Sequence, residues 1–277
     1  MDIDRVKKFI NGDHQNIEGW FFPLDQVAFF ELFLAQKQLG ITGDVAEVGV
    51  FHGKSLALLS LLKDPQENLL GFDLFNEDHQ ERTESNIEEY GQTSGVELIK
   101  GLTTDIARVD LDAMLQSQIR FLHIDAGHEY HEVLEQLLLF TPYVGDQGII
   151  AMDDYQDREF PGIEAAVLDF TEIDRPRRFV PFLAAGNKLF MCPSPMSSML
   201  QKILLRRATF DNLCRLTRVR DFNVLIMRSK LPVSSENILA QINELEFPRR
   251  QDGEMSLHNK AARFSQITFG AGEKYSE

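Results

Sequence analysis

The sequence predicts an α/β fold: a seven-stranded, mostly parallel sheet with an antiparallel last strand, helices on both faces and helical extensions at both ends. Three observations predict it. Between Gly43 and Cys192, five short apolar, β-branched runs alternate with segments of helical spacing, the rhythm of parallel strands joined by crossover helices. Two of those runs are apolar nearly throughout, as strands buried on both faces are. The alternation then breaks into Phe179–Ala184, the turn Ala185-Gly186-Asn187 and Lys188–Cys192, a hairpin with no room for a helix between its arms.

Residues 1–42 form an N-terminal helical extension, with the aromatic stretch Trp20-Phe21-Phe22 and an apolar set at Val27, Phe30, Phe33 and Leu34. The aromatic stretch is expected in the core, the alternative being that it closes over a bound ligand. Residues 43–195 form the central domain, with strands at Val45–Val50, Asn68–Asp73, Val96–Lys100, Arg120–Asp125 and Gly148–Asp153. The intervening helices show apolar residues every three or four positions, at Leu56, Leu59 and Leu62 and at Val133, Leu137 and Phe140, which would face a core. Cys192 is expected as a buried apolar filler. Residues 196–277 form a basic C-terminal extension, partly helical. Met199, Ile203, Leu204, Phe210 and Leu213 read as one amphipathic helix over 196–220. Phe222–Met227 suits strand or helix, and beyond about Pro248 the tail reads as mobile or pinned by a partner chain.

Of the 277 residues, 43% are hydrophobic and 26% charged, a globular balance. No apolar run reaches the roughly 18 residues of a membrane span. The start, Met1-Asp-Ile-Asp-Arg5, leads into no signal-peptide core, and two cysteines make no disulfide framework. A reducing cytoplasm is the expected compartment. The net charge of −15 argues against a nucleic-acid binder, which carries a basic footprint. The acids concentrate before residue 196, and the segment after it is net positive. That segment either lies against the acidic body or attracts an anionic partner.

The chemistry concentrates at the ends of the predicted strands. Gly49 and Gly53 follow the first strand and open a helix, whose N-terminus supplies free N–H donors. Val50 and Ser55 lie in the same turn. Glu47 is a carboxylate in an otherwise apolar strand, costly to bury unless something satisfies it; a ligand's ammonium group would. Asp73 ends the second strand, placed to accept hydrogen bonds from ribose hydroxyls or, read alone, to cap a helix. Thr103, Thr104 and Asp105 follow the third strand and either touch a base or cap the next helix. Asp125 ends the fourth strand, and Asp153-Asp154 the fifth. Parallel strands bring these three carboxylates to one rim, and an all-oxygen set suits Mg²⁺; one of the last pair could instead cap a helix. His128 is the candidate general base. His123 has the spacing of a packed strand residue, and His131 of a solvent-facing one.

With these residues quoted, the chain resembles the class I S-adenosylmethionine-dependent methyltransferases. The motifs are Glu47-Val-Gly49-Val50-x-x-Gly53-x-Ser55, Gly71-Phe-Asp73, His123-Ile-Asp125-Ala-Gly-His128-x-Tyr130 and Gly148-Ile-Ile-Ala-Met-Asp153-Asp154-Tyr155. The branch it is most similar to holds macrocin-type O-methyltransferases and cephalosporin-hydroxylase-like proteins. Glu18-Gly19-Trp20, Phe160-Pro-Gly162 and Val180-Pro-Phe…Gly186-Asn187-Lys188-Leu extend the likeness over roughly residues 17–192. The resemblance implies a Rossmann-like sheet and an S-adenosylmethionine site at Glu47, Gly49, Gly53 and Asp73, with Val50, Ser55, Thr103 and Asp125 beside it. It also implies Mg²⁺ at Asp125, Asp153 and Asp154. Macrocin-type enzymes have an aspartate as proposed base where this chain, after one extra residue, has His128.

The expected activity is Mg²⁺-assisted methyl transfer to a hydroxyl of a sugar, glycoside or other small natural product, with Asp125 and His128 as catalytic residues. The expected partners are a small-molecule acceptor, with no nucleic acid and no membrane, and a homo-oligomer is compatible with it. Two rivals remain. A P-loop nucleotidase would use Gly49-x-x-x-Gly53-Lys54-Ser55, but that loop needs four residues between its glycines and three are present. A non-catalytic binding module on the same fold would keep the glycines and Asp73.

Overall fold

A computed structural model describes residues 1–102, 108–173, 179–206 and 214–228. The chain opens with α1 (Ile3–Asn11), whose N-terminus is capped by Asp2: its carboxylate accepts from Asp4 N and Arg5 N, groups with no partner inside the helix. The next helix, α2 (Pro23–Gln38), starts on a proline and buries twelve residues, among them Asp25, Gln26, Glu31 and Gln36.

Strands and helices then alternate: β1 (Asp44–Val48), α3 (Lys54–Leu62), β2 (Leu69–Asp73), α4 (His79–Tyr90), β3 (Val96–Lys100), α5 (Arg108–Met114), β4 (Ile119–Ile124), α6 (Tyr130–Phe140), β5 (Val144–Met152) and α7 (Pro161–Glu172). After them come β6 (Phe179–Ala185), β7 (Lys188–Pro193), α8 (Ser194–Arg206), β8 (Cys214–Val219) and β9 (Phe222–Met227). The sheet order is β3-β2-β1-β4-β5-β7-β6-β9-β8. Strands β1 to β5 are parallel, and β7 slots antiparallel between β5 and β6.

Seven of these strands are the sheet the sequence predicts, including the antiparallel β7. The C-terminal extension differs from expectation. A helix is described over Ser194–Arg206, but residues 214–219, counted in the same expected helix, are a strand, and Phe222–Met227 is β9. Phe210 and Leu213, counted in the expected helix, lie outside the described residues. The β8–β9 hairpin adds to the sheet because β9 pairs parallel with β6, Leu183 opposite Leu225. That pairing covers an edge that would otherwise expose unpaired backbone groups.

Side chains along each strand alternate between two cores. Ala46, Val48, Leu122, Ile124, Ile150 and Met152 join one with α6 and α7. Val45, Phe121, Ile149 and Ala151 join the other with α1, α2, α3 and α8. Phe29 of α2 centres the second core, with ring centroids of Phe21, Phe121 and Phe190 at 5.1, 5.0 and 6.0 Å. Cys192 is fully buried there, as expected. The odd-numbered face also carries the polar residues Glu47, His123 and Asp153, so they lie on the α2 side. At the opposite end of the strands, buried Arg120 donates to Glu67 at 2.7 and 2.6 Å and to Gln36 at 2.6 Å. No described helix is long and apolar enough to cross a membrane.

Candidate active site

The carboxyl ends of β1, β2, β4 and β5 open into a cavity of about 650 Å³. Its first wall is the β1–α3 turn. Gly49 has φ +88°, and a Cβ there would meet the Asp125 carbonyl oxygen at 1.9 Å. The crossing of two backbones by itself demands the glycine, a constraint the sequence did not suggest. Gly53 opens α3 with φ +80°. Gly49, Val50 and Ser55 line the cavity; Gly53 and Glu47 do not. Thr103, Thr104 and Asp105 lie outside the described residues.

Asp73 caps no helix; it shapes this turn. Its Oδ2 accepts from Val50 N and Phe51 N, both at 2.8 Å, and its Oδ1 accepts from Phe75 N at 2.7 Å. A carboxylate offers about four acceptor sites, so one site on Oδ1 remains for a ligand hydroxyl in the cavity.

Glu47 sits under the floor. It is fully buried, and His123, its cross-strand partner in register, brings Nδ1 to 2.6 Å from its Oε1. Burial lowers the His123 pKa, so the neutral ring donates to the carboxylate. The expectation that a ligand ammonium satisfies Glu47 is therefore revised: His123, expected only to be packed, satisfies one of its oxygens. Glu47 Oε2 and His123 Nε2 stay buried without a hydrogen bond.

The acidic rim also differs from expectation. Asp125, Asp153, Asp154 and His128 all line the cavity, but the three aspartates do not form one ligand set. Ligand atoms of Asp125, His128 and Asp154 lie within 4.8 Å of one another, and those of His123, Asp125 and Asp153 form a second, deeper group. Asp153 Oδ1 accepts from Lys188 Nζ at 2.6 Å, both side chains being buried. Burial opposes the Asp153 charge most strongly, but the Lys188 ammonium, the hydrogen bond with Asp125 and the nearby His123 together outweigh it and hold the carboxyl below the usual range. Asp125 moves the other way: burial and then the charge of Asp153 raise its pKa. Burial and Asp153 raise Asp154 as well. Such an excess of carboxyl groups is a setting that a cation relieves.

His128 Nε2 lies 3.3 Å from Asp154 Oδ2, and its ring stacks on Phe160 with centroids 4.1 Å apart. Neither Asp153 nor Asp154 caps α7, which starts after Phe160. His131 is exposed, as expected.

Residues 46–155 match the family model described as a methyltransferase domain. Over this stretch the chain is similar to a methyltransferase domain. Its strands β1, β2, β4 and β5 carry the cavity just described. The chain is 35% identical over 124 residues to an uncharacterized protein, R132, of Acanthamoeba polyphaga mimivirus, a match covering 44% of this chain and 56% of that relative. The chain thus spans little more than half of that relative's length. Among solved structures, the O-methyltransferase from Bacillus cereus in complex with S-adenosylhomocysteine is similar with a TM-score of 0.50 at 15% identity, covering 69% of this chain and 90% of that one. CalS11, a TDP-rhamnose 3′-O-methyltransferase of calicheamicin biosynthesis, is similar with a TM-score of 0.48 at 18% identity, covering 61% and 79%. The Bacillus likeness shows a shared fold.

Several residues around the cavity carry no site signal of their own in the sequence. Trp20, expected in the core, is 81% exposed at the cavity mouth, while Phe21 is buried behind it. Lys54 Nζ donates to Gly19 O at 2.5 Å, and Arg82 donates to Glu18 at 2.8 Å. Two cations thereby tie the segment before α2 to the glycine turn. Asn187 also lines the cavity, and Asp25 and Lys188 stand behind it. In the sequence Asn187 and Lys188 stand out only as part of the turn and of the stretch that extends the family likeness, and Asp25 only as a charged residue flanked by apolar ones.

Proposed function

We propose that this protein is an S-adenosylmethionine-dependent O-methyltransferase acting on a hydroxyl of a small molecule such as a sugar, a glycoside or another natural product. One observation carries the reading: a single cavity joins the Gly49 turn and Asp73 to the rim of Asp125, His128 and Asp154. A nucleoside-bearing donor and a hydroxyl acceptor would meet there.

On this reading the remaining acceptor site of Asp73 takes a ribose hydroxyl. The bound cofactor supplies a methyl group on a sulfonium, already a good leaving group, so the protein mainly aligns the partners. His128 accepts the acceptor hydroxyl's proton; Asp154 beside its Nε2 stabilises the imidazolium that results, and Phe160 fixes the ring plane. With that proton removed, the acceptor oxygen would be free to take the methyl group that the cofactor, held at the Gly49 turn and Asp73, would supply, the sulfur leaving with its electron pair.

A divalent cation suits the carboxylates of Asp125 and Asp154, whose ligand atoms lie within 4.8 Å of one another and of His128. Bound there, Mg²⁺ would lower the pKa of the acceptor hydroxyl.

Calorimetric titration of S-adenosylhomocysteine into the full chain, with and without Mg²⁺ and beside an ATP control, tests the proposal. Micromolar binding of S-adenosylhomocysteine and none of ATP is expected, followed by methyl release in an acceptor screen. Binding of ATP alone, or of neither, would reject the reading.

A further inference from the structure

The turn between β6 and β7 sets two consecutive side chains on the two consecutive aspartates after β5. Asn187 Nδ2 donates to Asp154 Oδ1 at 2.8 Å, and Lys188 Nζ donates to Asp153 Oδ1 at 2.6 Å. The register explains the match: Met152 pairs with Leu189 across antiparallel strands, so the next residue of β5's path faces the one before Leu189. Tyr155 N donates to Asn187 O at 2.8 Å, a third fastening.

The turn is itself held from α2. A Cβ at Gly186, where φ is +56°, would meet Asp25 Oδ1 at 2.0 Å, so only glycine lets the buried Asp25 carboxyl lie against it. Asp25 and Asp153 thus flank Lys188, which also lies 5.6 Å from the centroid of the Phe21 ring. Lys188 is 2% exposed, so its ammonium is shut off from water.

This fixed charge bears on cation binding. A divalent ion on the Asp153 carboxylate would sit beside a buried ammonium, where like charges repel far more strongly than in water. Asp153 Oδ1 also accepts from Asp154 N at 2.8 Å, and its carboxyl is hydrogen-bonded to Asp125. The outer group of Asp125, His128 and Asp154 does not include it.

We infer that the Asn187–Lys188 turn is a positioning clamp, in which Lys188 is the standing counter-ion of Asp153 and Asn187 orients Asp154, so that a divalent cation takes Asp125 and Asp154 as its carboxylate ligands and not Asp153. The ion's role in methyl transfer rests on the proposed function; its binding does not.

The test is calorimetric titration of Mn²⁺ into the full chain. The double variant carrying D153N and K188M removes both buried charges together and leaves neither alone. Its Mn²⁺ affinity should stay within about threefold of wild type, while D154N weakens it about tenfold or more. Because the double variant could fail to fold, N187A is the second probe: it leaves every buried charge paired and should weaken Mn²⁺ about tenfold through the loss of an outer hydrogen bond. Loss of Mn²⁺ binding in the double variant, unchanged affinity in N187A, or no Mn²⁺ binding by wild type would each overturn the inference. Titrating S-adenosylhomocysteine into the same proteins separates the two ideas, since failure to bind it would reject the methyltransferase function and leave the clamp standing.

Discussion

Replacing Asp73 by Asn exchanges one oxygen for a nitrogen of nearly the same size, so its effect isolates hydrogen-bond polarity. In the native turn the carboxylate accepts from Val50 N, Phe51 N and Phe75 N at 2.7–2.8 Å. An asparagine would keep the first two bonds by turning its carbonyl toward them, and its NH2 would then face Phe75 N, donor against donor. The bond lost outright is charge-assisted, about 1.5–3 kcal/mol, and two others fall from charged to neutral strength, about 1 kcal/mol each. The expected destabilisation is about 3–5 kcal/mol, or a fall in Tm of roughly 6–20 °C at about 2–4 °C per kcal/mol. The acceptor site left on Oδ1 disappears too, so S-adenosylhomocysteine should bind about ten- to a hundredfold more weakly. Differential scanning fluorimetry and calorimetric titration read the two effects separately. A D73N protein with wild-type Tm and wild-type affinity would refute the assignment of Asp73 as the organiser of the turn.

Other outcomes follow from buried groups and from the cavity mouth. Arg120→Met removes the guanidinium that pairs with buried Glu67, leaving Lys63 to offset that charge, and should cost about 3 kcal/mol in urea unfolding; a loss under about 1 kcal/mol would show the pair to be solvated. Asp25 is buried, which pushes its pKa to about 8 against 3.8 for the free group. Between those values the folded state holds a proton that the unfolded chain has released, so this group's contribution to stability falls as pH rises from about 4 to 8. The fall in Tm across pH 5–8 should therefore be steeper in wild type than in Asp25→Asn, and parallel curves would contradict the raised pKa. Trp20 is the sole tryptophan and is 81% exposed at the cavity mouth, so ligands that fill the cavity should shift its emission to the blue. An unchanged spectrum at saturating S-adenosylhomocysteine and acceptor would place the indole outside the occupied space.

The sequence by itself determined the alternation of strands and helices, the antiparallel β7 and the rim on which Asp73, Asp125, Asp153 and Asp154 stand. These follow from periodicity, turn chemistry and the rule that parallel strands end on one side. Even the separation of Val48 from Glu47 onto opposite faces is a matter of alternating positions along one strand. Only the tertiary structure decided who meets whom. Glu47 meets His123 because β1 and β4 pair in that register, and Lys188 meets Asp153 because β5 and β7 do. Gly49 looked like a ligand glycine, yet its constraint is the carbonyl of Asp125, 76 positions along the chain. The exposed Trp20 and the β8–β9 hairpin escaped prediction for the same reason: an aromatic or short apolar run carries no record of which surface remains to be covered. A buried charge is likewise set by its neighbours across the sheet, so the counter-ion of Asp153 could be found only once the strands were in place.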